Sequence, residues 1–207
     1  RYIGRSVFPQ ELEGQQIGAY LLVTLDAASQ DDLDTMLEQM AELVLDAGAM
    51  DVLVADTPAK IKDAWAARSS FLEAIMHETK LLDECDVVVP VNKIADYLDF
   101  VNKTGEECGL VIKSFGHAGD GNLHIYQCSN DLEEEEFKSR VDKFFEIIYK
   151  EAASCGGLVS GEHGIGSGKI KYLVDSVGET NMALMEGIKR VFDPKMILNP
   201  GKVCYRL

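Results

Sequence analysis

Two short segments of this sequence concentrate the side chains that could do chemistry. Residues 116–124 read Gly-His-Ala-Gly-Asp-Gly-Asn-Leu-His, and residues 160–166 read Ser-Gly-Glu-His-Gly-Ile-Gly. Together they hold three of the four histidines in the chain, and Glu162 directly precedes the third, His163. Imidazole nitrogens and carboxylate oxygens bind divalent metal ions and also transfer protons. The two segments are therefore the first candidates for a functional site.

The glycine-rich segment is expected to form a β-hairpin that carries two metal ligands. If residues 119–121 reverse the chain, His117 and His124 flank the turn as a cross-strand pair, with Cβ atoms roughly 5 Å apart. These imidazoles could bind one metal ion, with Glu162 as the third ligand. Three protein ligands leave positions open for a substrate, which suits catalytic zinc, iron(II) or manganese. His163 then remains as a candidate base beside the ion.

Other interpretations of the two segments stay open. The histidines could be hydrogen-bonding loop residues, or the ligands could serve a zinc hydrolase with Glu162 or His163 as base, although no oxyanion hole or nucleophile is recognisable. Phosphate-binding loops are excluded by the pattern. The glycines of residues 116–121 precede a strand instead of a helix, and a Walker-type loop ending at Lys169 would need serine or threonine where Ile170 stands.

Arg68 is a further candidate, three positions after Trp65 on a predicted helix. A guanidinium beside an apolar ring can bind a small carboxylate through two hydrogen bonds. The alternative is an ordinary surface arginine. His77 has no neighbouring ligand pattern and is interpreted as a surface or core residue.

Apolar runs and turn signals indicate the elements that must position these residues. The predicted strands cover residues 17–25, 51–55, 86–90, 110–115 and 122–126. The predicted helices cover residues 31–47, 57–77, 91–108, 132–153, 169–174 and 180–192. This pattern predicts an α+β domain in which helices pack on one face of an antiparallel sheet. We expect the last fifty or so residues to be a helical appendage to it.

Composition narrows the class of protein. A net charge of -15 argues against nucleic-acid or anionic-membrane partners, because those surfaces would repel the chain. Five widely spaced cysteines without a Cys-x-x-Cys pair indicate reduced thiols in a cytoplasmic protein. No apolar run approaches the roughly 18 residues that span a bilayer. The chain opens on Arg1 with a linker-like stretch, so we expect a fragment of a longer protein.

Five motifs together resemble one known family. They are Trp-x-x-Arg at 65–68, Asp-Val-Val-Val-Pro at 86–90, the two histidine segments, and Asn-Pro-Gly-Lys at 199–202. This set is similar to the C-terminal domain of the FAD-linked D-2-hydroxy acid dehydrogenases of the vanillyl-alcohol oxidase superfamily. That family includes the glycolate oxidase D subunit and D-lactate dehydrogenases. The resemblance spans nearly the whole chain, and the histidine motifs are its most specific part.

The resemblance implies a domain organisation and a reaction. Residues 1–155 would form a ferredoxin-like cap, residues 156–207 the helical segment of the same domain, and the FAD-binding N-terminal domain would be absent from this chain. The intact enzyme would oxidise a D-2-hydroxy acid to the 2-oxo acid, with hydride transfer to FAD. Electrons would then pass to an electron-transferring flavoprotein, an iron-sulfur subunit or a quinone, and such partners could bring it to a membrane surface.

The resemblance also assigns roles to single residues. It implies metal ligation by His117, His124 and Glu162, proton abstraction by His163, substrate carboxylate binding by Arg68, and flavin contacts by Asn122 and Asn199. Family members that oxidise D-2-hydroxyglutarate tend to have lysine where this chain has Glu84, which favours lactate or glycolate here. The alternative is a metal-binding or subunit-association module without activity of its own. The isolated fragment is expected to be inactive, and a homo-oligomer is possible.

Overall fold

The computed structural model describes residues 8, 9 and 11–204 of the chain. Contacts between these residues separate into two compact units, which divide between Ala74 and Ile75. No helix among the described residues is both long and apolar enough to cross a membrane.

The first unit contains two helices whose starting points follow from local sequence. Helix α1 spans Gln30–Asp46 and helix α2 spans Pro58–Ser69, and a short antiparallel pair, β1 (Glu11–Leu12) and β2 (Gln15–Gln16), precedes them. The Ser29 hydroxyl accepts a hydrogen bond from the Asp32 N–H at 3.2 Å, and Thr57 caps α2 in the same way. Such caps satisfy backbone donors that a helix leaves free at its first turn.

The two strands predicted at residues 17–25 and 51–55 are not formed. Neither run belongs to a ladder in the part of the chain that the structure describes, and the side chain of Leu21 is 70% exposed. An apolar run becomes a strand only where a neighbouring strand takes up its backbone hydrogen bonds. The described residues supply no such neighbour, so the predicted strand-helix-strand unit is wrong and α1 is flanked by irregular chain.

The helix predicted over residues 57–77 is interrupted. Helix α2 ends at Ser69 and α3 begins at Phe71, running to Glu78. The hydroxyls of Ser69 and Ser70 donate to carbonyl oxygens of the preceding turn, both at 2.7 Å. Serine hydroxyls compete in this way with the backbone ladder and bend helices, which explains the break at Ser70.

The second unit is built on an antiparallel sheet. Its strands β3 (Leu81–Val88), β4 (Val111–His117) and β5 (Asn122–Ser129) lie in the order β3-β5-β4, so β5 is central. Helices α4 (Ile94–Cys108), α5 (Glu134–Ser154) and α6 (Ile170–Phe192) complete it. Helices and antiparallel strands in one unit confirm the predicted α+β class.

One face of the sheet carries the hydrophobic core. Because side chains alternate along a strand, β3 and β5 direct Cys85, Val87, Leu123 and Ile125 to this face. They share the core with Tyr97 and Val101 of α4, Phe144 and Ile148 of α5, and Leu173 and Met182 of α6. The opposite face of the same strands carries the polar residues of the candidate site.

The helix ends also follow from sequence. Helix α4 is preceded by a 3-10 turn at Val91–Lys93 and is capped after Cys108 by Gly109, whose φ of 66° is the left-handed conformation that glycine adopts easily. Helix α6 covers both helices predicted after residue 168, with a kink at Gly178 between them. Since α6 packs on the common core, the helical segment belongs to the second unit.

Candidate active site

The glycine-rich segment forms the predicted hairpin between β4 and β5, with residues 118–121 as its turn. Gly121 donates to the His117 carbonyl at 3.1 Å and has a φ of 80°. A Cβ on Gly121 would collide with the Val89 carbonyl oxygen. The turn therefore needs glycine both for its backbone conformation and for its close approach to the end of β3.

The register of this hairpin corrects the predicted histidine pairing. His117 lies directly opposite Asn122, and His124 lies opposite Phe115. The two histidines share a face but are diagonal neighbours, with ring centroids 6.4 Å apart. For His117 and His124 to lie directly opposite each other, the loop would have to be longer than the four residues of this turn. With the four-residue turn, the two imidazoles lie diagonally across the paired strands.

The second segment, residues 160–166, is folded around Asp86. This carboxylate is fully buried and lies opposite His124 in the sheet register. One of its oxygens accepts the backbone N–H groups of three consecutive residues, Gly161, Glu162 and His163, at 2.8 to 2.9 Å. The Ser160 hydroxyl donates to the same oxygen at 3.0 Å, and Lys169 forms an ion pair with the other. Asp86 thus fixes the loop that carries Glu162 and His163.

The charge of Asp86 is stabilised where it lies. Burial alone would raise the pKa of this carboxyl, but the hydrogen bonds from Lys169 and from the His163 and Glu162 N–H groups outweigh burial and hold its pKa well below the usual range. Asp86 therefore stays ionised at neutral pH. From sequence, this aspartate stood out only as part of a motif, and the available signal was a charged residue followed by three valines in a strand.

The predicted metal ligands come together on the polar face of the sheet. His124 is almost fully buried at the centre, and its Nε2 lies 2.9 Å from the Glu162 Oε1. Ligand atoms of His117, His124 and Glu162 all lie within 4.8 Å of one another. His117 and Glu162 are exposed, so the group is open on one side. Two imidazole nitrogens and one carboxylate oxygen fit a catalytic divalent metal with free coordination positions.

His163 is the immediate neighbour of this group. Its ring centroid lies 4.8 Å from that of His124, and its side chain is 45% exposed. The Nδ1 atoms of both histidines lie 3.3 Å from the Glu84 Oε1, to which Tyr126 donates its hydroxyl at 3.0 Å. From sequence, Glu84 was notable only as the residue that stands in place of a family lysine. It contacts His124 because β3 pairs with β5, and it contacts His163 because the second segment lies on the same face of the sheet.

The two asparagines predicted to contact a flavin lie at different kinds of position. Asn122 is buried, and its Oδ1 has no hydrogen-bond partner within the described part of the chain. A Cβ at Gly161 would collide with the Asn122 side chain, so the two segments touch here. Asn199 is exposed with a φ of 44°, and shortly after it Val203 donates to the Gly166 carbonyl at 2.7 Å. The unpartnered Asn122 oxygen suits a donor group from a ligand.

Arg68 and Trp65 both lie on α2, as predicted, with Trp65 exposed and Arg68 half-buried. This helix belongs to the first unit, whereas the histidine cluster belongs to the second. The carboxylate-binding role of Arg68 stays a prediction.

Comparison with known proteins places the chain in a family. Residues 6–203 match the family described as FAD linked oxidases, C-terminal domain. The chain therefore belongs to the C-terminal domain family of the FAD-linked oxidases.

Curated relatives give this assignment more detail. The chain is 59% identical to a D-lactate dehydrogenase of Anaerostipes hadrus over 207 residues, which is all of this chain and 44% of that protein. It is 34% identical to a D-lactate dehydrogenase of Archaeoglobus fulgidus over 206 residues, 99% of this chain and 43% of the relative. It is 33% identical to the glycolate oxidase subunit GlcD of Bacillus subtilis, covering 89% of this chain and 39% of the relative. The chain thus spans less than half the length of these relatives.

Proposed function

We propose that this chain is the substrate- and metal-binding domain of an FAD-dependent enzyme that oxidises a D-2-hydroxy acid to the 2-oxo acid. The observation that carries the proposal is the convergence of His117, His124 and Glu162 beside His163. Membership of the FAD-linked oxidase family supports the flavin, and relatives named for D-lactate and glycolate support the substrate class.

The residues have distinct roles in this reaction. His117, His124 and Glu162 would hold the divalent metal ion, which suits zinc, iron or manganese. When bound, the metal would polarise the substrate hydroxyl and the flavin would accept the hydride from the α-carbon. His163 takes the hydroxyl proton on its imidazole, which lies beside the ligand group and has its Nδ1 3.3 Å from the Glu84 Oε1. Asp86 keeps His163 in place by holding its backbone N–H.

Substrate and flavin are bound by the remaining predicted residues. Arg68 would bind the substrate carboxylate through its guanidinium fork. Asn122 would accept an N–H of the flavin ring at its unpartnered Oδ1, and Asn199 would contact the same ring. The negative charge of Glu84 beside both histidines disfavours a second substrate carboxylate, so lactate or glycolate is preferred over a dicarboxylate.

The proposal extends to the cellular setting of the enzyme. All five cysteines are free, which favours the reducing cytoplasm. Electrons leaving the reduced flavin would pass to an electron-transferring flavoprotein, an iron-sulfur subunit or a quinone.

Metal content of the intact protein that carries this domain tests the ligand assignment. We expect His117→Ala and Glu162→Ala to lose bound metal and D-lactate oxidation together, whereas Glu107→Gln, an exposed change on α4, retains both. Unchanged metal content in the two ligand variants would remove the assignment. Metal binding by the wild type without oxidation of any 2-hydroxy acid would favour a metal-binding or subunit-association module instead.

A further inference from the structure

Lys169 reaches back to strand β3 from just beyond the second segment. Its ammonium nitrogen lies 3.4 Å from the Asp86 carbonyl oxygen and forms an ion pair with the Asp86 Oδ1. The Lys169 side chain is only 17% exposed, and its partner is fully buried. A largely buried ammonium is costly unless a partner compensates its charge, so the presence of a lysine at this position requires an explanation.

The chain between residues 158 and 169 is attached to the open edge of β3 at both ends. Val88 and Leu158 exchange backbone hydrogen bonds at 2.8 and 3.0 Å, which joins the start of this stretch to the strand. Backbone groups of a strand face the same edge at every second residue, so the Asp86 carbonyl faces that edge as well, and Lys169 contacts it there. The stretch that carries the second segment is therefore a closed loop on β3, with Lys169 as its second attachment.

Lys169 also determines which way the Asp86 carboxylate faces. Four donors converge on its Oδ2, namely the Ser160 hydroxyl and the three backbone N–H groups of residues 161–163. The Oδ1 atom receives Lys169 and a longer bond of 3.2 Å from the same hydroxyl. Without the ammonium, Oδ1 would be a buried anionic oxygen with one long hydrogen bond, and the carboxylate would be free to turn away from the N–H groups.

Stability alone does not explain the ion pair. A buried ion pair often contributes no more to the free energy of folding than apolar side chains of the same volume would. An apolar side chain, however, cannot orient a carboxylate. Here that orientation fixes the backbone of the proposed ligand Glu162 and of the proposed base His163. The contribution of Lys169 therefore lies in the geometry of the site.

We propose that Lys169 is a positioning residue of the candidate active site, which acts through Asp86 to hold Glu162 and His163 in place. This inference rests on the proposed function for its effect on metal and substrate, whereas the hold on the loop backbone follows from the contacts alone. The Lys169 carbonyl accepts the Leu173 N–H in the first turn of α6 at 2.9 Å, and Leu173 lies in the core. Lys169 thus connects the site to the core of the second unit.

Backbone amide exchange of the intact, metal-free protein tests the hold on the loop. We expect the peptide covering residues 160–166 to exchange at least about 10-fold faster in Lys169→Met than in the wild type, because its hydrogen bonds to the Asp86 carboxylate are weakened. Lys171→Met is the matched control and should exchange like the wild type. Lys171 pairs with Glu146 at the surface with its side chain 55% exposed, and such exposed pairs contribute little. Exchange at the wild-type rate in Lys169→Met would overturn the proposal.

Zinc titration and kinetics test the consequence for the site. Loss of a residue that orients metal ligands typically lowers metal affinity or activity about 10- to 100-fold. Lys169→Met should therefore weaken zinc binding by about 10-fold and lower kcat by a similar factor at saturating metal, with KM for D-lactate little changed. Lys169→Gln keeps a neutral donor and should lose less, and it replaces Lys169→Met if circular dichroism shows that variant to be unfolded. Wild-type zinc affinity and kcat in the neutral variant that folds would refute the positioning role.

A double variant tests whether Lys169 acts through Asp86. If it does, Lys169→Met combined with Asp86→Asn should bind zinc about as well as Asp86→Asn alone, because the neutral asparagine needs no counter-charge. Losses of affinity that simply add would show that Lys169 acts by another route and would contradict the proposal. If the wild type binds no zinc and oxidises no hydroxy acid, the proposed function fails, while the exchange measurement still decides whether Lys169 holds the loop.

Discussion

Replacing Asp86 by asparagine removes a buried negative charge on which the second segment of the site is folded. The wild-type carboxylate accepts three backbone N–H groups and pairs with Lys169, whose side chain is 17% exposed. Breaking a buried ion pair by neutralising one partner costs about 3–5 kcal/mol. Asparagine keeps one acceptor oxygen, which offsets part of the loss of charge-assisted bonds. We therefore expect Asp86→Asn to lower the free energy of unfolding by about 3–4 kcal/mol.

Urea unfolding monitored by circular dichroism measures this loss, with Asp99→Asn on the exposed side of α4 as the matched control.

The pKa of Asp86 is lower in the folded protein than its unfolded value of about 3.9. Its contribution is therefore fully present above about pH 4 and is lost as pH falls further. The difference between wild type and Asp86→Asn should be constant from about pH 7 to 5 and shrink below about pH 4. A loss under about 1 kcal/mol at neutral pH would refute the reasoning.

Two further predictions concern the hairpin and the cysteines. Gly121→Ala should lower the free energy of unfolding by about 2 kcal/mol or more, because the φ of 80° at Gly121 and the nearby Val89 carbonyl exclude a Cβ. Gly119→Ala is the control, since a Cβ there meets open space. Equal urea midpoints for the two variants would contradict the turn geometry. Thiol labelling of the native protein should modify half-buried Cys155 well before Cys85, because burial raises the pKa of the Cys85 thiol to about 12. Peptide mass spectrometry measures the labelling of each cysteine. Faster labelling of Cys85 than of Cys155 would contradict the burial of Cys85.

Local signals predicted the helices and the hairpin well. Ser29, Thr57 and Gly109 mark helix ends through hydrogen bonds and backbone conformations that involve only neighbouring residues. The turn at residues 118–121 is similarly local, since its glycines supply the conformation that the reversal needs. The meeting of the two histidine segments was predicted from the ligand types of their residues, whereas the hairpin register that places His117 opposite Asn122 was not predicted.

Features that depend on distant partners were missed. The runs at residues 17–25 and 51–55 are apolar enough for strands, but strand formation also requires a neighbour that sequence does not identify. Asp86 accepts hydrogen bonds from residues that lie 75 to 77 positions later in the chain. The motif that contains Asp86 therefore did not indicate that this side chain holds the second segment. Glu84 likewise contacts His163 only because β3 and the loop meet on one face of the sheet.

Flavin reduction is the most direct test of the central claim. The intact, metal-loaded protein is mixed with D-lactate in the absence of oxygen, and the loss of the oxidised flavin absorption band is followed in a stopped-flow instrument. We predict rapid bleaching in the wild type, slowing of about 100-fold or more in His163→Ala, and little bleaching after removal of the metal. Bleaching at the wild-type rate in His163→Ala, with metal content unchanged, would contradict the proposal that this site accepts the hydroxyl proton of the substrate.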